Sequence, residues 1–107
     1  MANILFLTPW RLATRENAGF FESELAKELA PHHALFGRRW SALGFTRSSD
    51  DVLFQLEDGA VAQVHLTYSS HPETLGFPGH QVFASLFDWT LGEMIPDHVD
   101  HHGLWAD

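Results

Sequence analysis

The sequence predicts an α+β domain, and three observations carry that prediction. Residues 51–67 alternate apolar and polar side chains on either side of Asp58-Gly59, which is the signature of a β-hairpin. Phe21, Leu25 and Leu29 recur at four-residue spacing with charged residues between them, which describes an amphipathic helix. A second apolar repeat, Phe87, Leu91 and Met94, follows a Ser85…Asp88 pair that fits a helix-capping box.

In chain order, residues 1–16 form an irregular lead-in. Ile4 to Leu7 reads as a candidate edge strand ended by Pro9, with Trp10 packing on the core. The first helix spans Ala18 to Ala30 and stops at Pro31. Its buried side carries Phe21, Leu25 and Leu29 with Ala18 and Ala26, and its polar side carries Glu22, Ser23, Glu24, Lys27 and Glu28. His32 to Gly37 is a short connection whose Leu35 and Phe36 cover one end of the core. Arg38 to Arg47 reads as a strand weakened by Gly44, and Arg47 to Asp50 as a turn.

The register of the central hairpin follows from its side chains, because a slip of one residue turns the core set outwards. A two-residue Asp58-Gly59 loop sets Phe54 opposite Gln63, mixing core with polar groups. A three-residue loop of Glu57, Asp58 and Gly59 sets Leu56 opposite Ala60, Phe54 opposite Ala62 and Val52 opposite Val64. The second register gives one apolar face and asks Gly59 to adopt a left-handed conformation. Asp51 then faces His65, and the opposite face carries Leu53, Gln55, Val61, Gln63, His65 and Thr67.

Tyr68 to His80 is a loop by its content of Pro72, Gly76, Pro78 and Gly79, and loops of that length are often functional. Gln81 to Phe83 adds a brief fourth strand. The second helix buries Phe87, Leu91 and Met94, with Leu86 and Thr90 alongside, and ends at Pro96. Residues 97–107 are a polar, His-rich tail with Leu104 and Trp105 near its end. The expected architecture is a single domain over 1–107 in the order α-β-β-β-α. A three- to four-stranded antiparallel meander has both helices packed on one face, and its Gln55–Gln63–His65–Thr67 face is partly open.

Composition narrows the function classes. The 107 residues are 45% hydrophobic and contain no cysteine, which removes disulfide scaffolds, thiol catalysis and thiolate metal sites. The formal charge of −8 repels phosphate backbones, so nucleic acid is disfavoured and a basic protein partner is suited. The first residues have no basic start, and their apolar run is too short for a signal peptide or a membrane span. A cytoplasmic protein that meets no membrane is expected.

Residues from Phe20 to about Pro96 resemble a family of short bacterial proteins of unassigned activity. The residues that carry this are Glu24-Leu25-Ala26-Lys27-Glu28-Leu29, Leu35-Phe36-Gly37-Arg38, Asp50-Asp51-Val52-Leu53-Phe54, Asp58-Gly59 and Val64-His65-Leu66-Thr67-Tyr68-Ser69 with Pro72-Glu73. The family pattern has Trp where Tyr68 stands, and His-Pro-Leu where this chain has His33-Ala34-Leu35. The resemblance implies a soluble, bacterial, single-domain protein and assigns no functional residue.

Candidate sites are few. His65 facing Asp51 could act as a general base, with His71 and the 68–80 loop beside it; otherwise the pair is a cross-strand contact that fixes register. Asp51, Gln55, Gln63, His65, Thr67 and His71 form the candidate binding set. His98 and His102, four apart with His101 between, have a spacing that can chelate a divalent metal; a solvated tail is the plainer account. Arg38, Arg39 and Arg47 could grip a carboxylate or phosphate, and otherwise pair with Asp50, Asp51 or the acidic helix. Gly76-Phe77-Pro78-Gly79 lacks the lysine of a phosphate loop. No catalytic signature appears and no cofactor is implied. The sequence therefore reads as a non-enzymatic interaction module, an acidic inhibitor or immunity-type protein or a homodimer. The alternative is a small hydrolase-like or ligand-binding protein using His65, Asp51 and the 68–80 loop.

Overall fold

A computed structural model describes residues 5–46, 49–73 and 77–102. Ile4, Arg47, Ser48, Gly76, Leu104 and Trp105, on which parts of the sequence reading fall, lie outside the described residues. The fold is α+β. Five antiparallel strands run in sequence order across one sheet: β1 (Trp10–Leu12), β2 (Trp40–Thr46), β3 (Asp51–Leu56), β4 (Val61–His65) and β5 (Gly79–Phe83). The added strand is β1. Leu5 to Leu7 is not a strand; the edge lies after Pro9, where Trp10 pairs with Thr46 and is buried.

The β3–β4 hairpin has the argued register, with Phe54 opposite Ala62, Val52 opposite Val64 and Asp51 opposite His65. Gly59 closes the turn at φ +92°, a conformation that glycine adopts without a Cβ penalty. Gly44 sits at the irregularity between β2 and β3. A Cβ there would come within 2.8 Å of the Arg11 carbonyl oxygen and 2.5 Å of the Phe6 ring, so β1 closes on β2 only because this residue is glycine.

Helix α1 (Arg15–Glu28) begins earlier than its apolar repeat, because Thr14 Oγ1 accepts the Asn17 N–H at 3.1 Å and caps the first turn. Phe21, Leu25 and Leu29 pack with Leu35, Phe45, Val52, Phe54, Leu56, Ala62, Val64 and Leu66 on one face of the sheet. Phe36, expected to help cover the core, is exposed.

The second helical stretch lies against the other face. It runs as α2 (Leu86–Trp89), a π turn (Thr90–Met94) and α3 (Ile95–His102), with Ser85 Oγ accepting the Asp88 N–H at its start. Trp89 and Met94 pack with Trp10, Leu53 and Val61. Three expectations are corrected here. The helices cover opposite faces of the sheet, so the Leu53–Val61 face is filled rather than open to a second copy. Phe87 and Leu91 are exposed, because the wide turn shifts the helical phase and brings residues five apart, Trp89 and Met94, onto the buried side. The helix also passes through Pro96 to His102, so residues 97–102 are not a tail. The Ile95 N–H bonds back to the Thr90 carbonyl, five residues away. That widened turn relieves the clash a proline ring makes with the preceding carbonyl.

Candidate functional site

Burial on both faces leaves one end of the sheet polar, and Asp51 is its centre. As the first residue of β3, Asp51 accepts from His65 Nδ1 at 2.8 Å through one oxygen and from Gln63 Nε2 at 2.9 Å through the other. The same Gln63 amide donates to Glu93 Oε1 at 3.1 Å, while Gln63 Oε1 accepts the Trp89 indole N–H at 2.8 Å. The indole contact fixes which way the amide points, so its two N–H groups face the two carboxylates. Trp10 does the same for α3, its Nε1 donating to Asp97 Oδ2 at 2.9 Å. Two buried, edge-to-face indoles, with centroids 4.9 Å apart, thus form an aromatic floor that orients an acidic rim.

That rim encloses a recess of about 380 Å³ lined by Asp51, Glu93, Asp97, Asp100 and His101, with Ser49 and Thr46. No lysine or arginine is among its described lining residues. Burial first, and then the neighbouring Asp97 and Asp51, push the Glu93 carboxyl above its ordinary value of 4.5. Folding therefore places ionised Glu93 where it is less favoured than in water, a penalty that begins above 4.5 and is complete above the raised folded value. Glu93→Gln keeps an acceptor for Gln63. It is expected to leave stability unchanged well below 4.5 and to raise the urea midpoint at neutral pH. A lowered neutral midpoint would show that the carboxylate stabilises the fold.

The structure brings some of the sequence-derived residues together and separates the others. Asp51, Gln63 and His65 meet as described, and His65 is exposed, its side chain at 59%. His101 joins them through the recess, a proximity the sequence does not reveal. Gln55 lies at the opposite end of the hairpin, where Nε2 donates to the Ala60 carbonyl at 2.9 Å. His71 Nδ1 lies 3.2 Å from the Pro72 carbonyl in its own loop, whereas the roughly 210 Å³ cavity at His65 is lined by Asp51, Gln63, Gly79, His80 and Gln81. His98 donates from Nδ1 to the Thr8 carbonyl and His102 Nε2 meets Thr8 Oγ1, each at 2.8 Å. Those rings hold the chain before Pro9, and among the described residues no three His, Asp or Glu side chains are grouped to hold a metal. Arg38 pairs with Glu57 and Asp58, each at 2.9 Å, rather than with Asp50 or Asp51.

Sequence reasoning missed a second polar feature. Glu24 and Glu28, expected on the solvent side of α1, are buried. Glu28 accepts the Thr67 and Tyr68 N–H groups at 2.9 and 2.8 Å, and Glu24 accepts the Ser70 N–H and hydroxyl, both at 2.9 Å. Thr67 thus belongs to a strap, residues 67–73, clamped to α1. A hydrogen bond between the two side chains keeps the Glu24 carboxyl low, and burial pushes the Glu28 carboxyl up. At the far end of the loop, the buried His33 accepts the Leu35 N–H at Nδ1 and donates from Nε2 to the Pro78 carbonyl, both at 3.0 Å. The one sequence signal for the clamp is the i, i+4 spacing of the two glutamates with Leu25 and Leu29, which places all four on adjoining strips of the helix.

No family model, curated protein or solved structure matches this chain.

Proposed function

We propose that the protein is a non-enzymatic interaction module whose acidic recess receives a basic protein partner, as an inhibitor or immunity-type protein caps a basic enzyme. The observation that carries this reading is the convergence of Asp51, Glu93, Asp97 and Asp100 on one cavity without a described lysine or arginine. The formal charge of −8 supplies long-range attraction of the same sign. Phe87, Leu91 and Ile95, exposed on the helical stretch that carries the acids, supply the apolar surface that a stable interface also needs. A nucleic-acid backbone is disfavoured by the same charge. The cytoplasm is the proposed setting, and no helix of the described residues is long and apolar enough to cross a membrane.

The hydrolase-like alternative has the Asp51–His65 pair in its favour. It lacks the convergence it requires, since His71 bonds within its own loop and no serine is among the described residues lining the His65 cavity. Affinity capture from host lysate, run in parallel with wild type and with Asp97→Asn/Asp100→Asn bait, tests the preferred reading. A stoichiometric basic partner held by wild type at low salt, and lost by the variant or as salt rises, is expected. A partner retained equally by both baits, or recovery of bait alone, would overturn it.

A further inference from the structure

A third cavity, of about 240 Å³, lies on the α1 side of the sheet between the helix, the β2–β3 end and the strap. Its walls are Phe20, Phe21, Phe45 and Tyr68, with Asp50 and Asp51 at its polar side. The rings of Phe20 and Tyr68 lie 19° from parallel with centroids 6.2 Å apart, and Phe21 meets Phe20 at 5.7 Å and Phe45 at 5.1 Å. Phe21 and Phe45 are core residues, but Phe20 is 57% and Tyr68 39% exposed, so core packing does not account for that stacked pair.

The backbone is bent to build this wall. Asp50 and Tyr68 both have φ +59°, a left-handed conformation that aspartate accepts in a turn but that is an outlier for a ring-bearing side chain. Glu28 holds Tyr68 there through its N–H. Burial, and then Asp50, Glu28, Glu24 and Asp51, push the Tyr68 hydroxyl above its ordinary value, so the wall stands in a negative field. Lysine and arginine are absent from the described lining residues.

We propose that this pocket binds an organic cation, a guanidinium or an alkylated ammonium, against the Phe20 and Tyr68 rings with Asp50 as the counter-charge. Aromatic faces attract such cations through the ring quadrupole and carboxylates add charge, while the apolar walls disfavour a strongly hydrated metal ion. If the cation is an arginine of the proposed partner, the pocket gives that partner a specific receptor; if it is free, the pocket stands without the partner.

Amide-resolved NMR titrations with choline, arginine amide and a glycine-flanked arginine peptide test the proposal. The alcohol in which carbon replaces the choline nitrogen serves as the neutral control. Saturable shifts at Phe20, Asp51 and Tyr68 are expected with at least one cation and not with the alcohol. A peptide tighter than arginine amide assigns the cation to a protein side chain, and choline tightest assigns it to a free quaternary ammonium. Phe20→Leu, which keeps the apolar bulk, and Asp50→Asn, which tolerates the left-handed backbone, are expected to weaken binding about threefold to tenfold with unchanged thermal midpoints. Equal perturbation by the alcohol, shifts confined to Asp97 and Asp100, unaltered affinity in Phe20→Leu, or no saturable shift would each overturn the proposal.

Discussion

Glu28→Ala is expected to lower the unfolding free energy by about 3 kcal/mol, the sum of a lost buried acceptor and the donors it leaves behind. The Thr67 and Tyr68 N–H groups both end on this carboxylate, and its side chain is fully buried. Among the described residues neither donor has another acceptor, so the strap must open to water to satisfy them. Glu28→Gln retains one acceptor oxygen but turns an N–H₂ towards the second donor, and should cost about 1–2 kcal/mol. Urea unfolding gives both magnitudes, and amide exchange locates them. Exchange should accelerate at Thr67, Tyr68 and Ser70 in the alanine variant while the β3–β4 amides stay protected. Unchanged exchange at Thr67 and Tyr68 would remove the clamp from the account. The same variant should also release Tyr68 from its left-handed backbone, linking the clamp to the shape of the aromatic pocket.

The legibility of this fold tracks how local each determinant is. The hairpin register was readable because Val52, Phe54 and Leu56 alternate strictly and Asp58-Gly59 specifies a turn. Phe21, Leu25 and Leu29 likewise state one helix face. The helix start depended on a single Thr14 hydroxyl that the apolar repeat does not include. Two-sided burial was written in the unbroken run Val52-Leu53-Phe54, as continuous apolar strands pack on both faces, but the polar Gln55 and Gln63 on the second face masked it. A π turn has no composition signal, so ordinary helical spacing puts Phe87 and Leu91 on the buried side, where the structure leaves them exposed. Residue type alone puts Glu24 and Glu28 in solvent; only the strap's N–H groups, remote in sequence, explain their burial. The Asp51–His65 pair followed from register, whereas Glu93, Asp97 and His101 reach the site through a helix that the sequence appeared to end at Pro96.

The second large effect is expected at Trp89, the residue that joins the apolar interior to the acidic rim. Trp89 is fully buried, packs edge-on against Trp10 at 4.9 Å and Phe6 at 5.8 Å, and donates to Gln63. Trp89→Ala removes all of these and should cost about 3–5 kcal/mol, with the second face of the sheet losing its cover. Trp89→Phe keeps most of the ring volume and isolates the indole N–H, so its cost should fall to about 1–2 kcal/mol. The difference matters for function, because that N–H is what turns the Gln63 amide towards Asp51 and Glu93. If the orientation is transmitted through Gln63, Trp89→Phe and Glu93→Gln should not add: a double-mutant cycle in neutral buffer should give a coupling of about 0.5 kcal/mol or more. Additive effects would mean that Trp89 only fills volume and that the rim is ordered by its own helix. Coupled effects would make the buried indole the element that positions the acidic site.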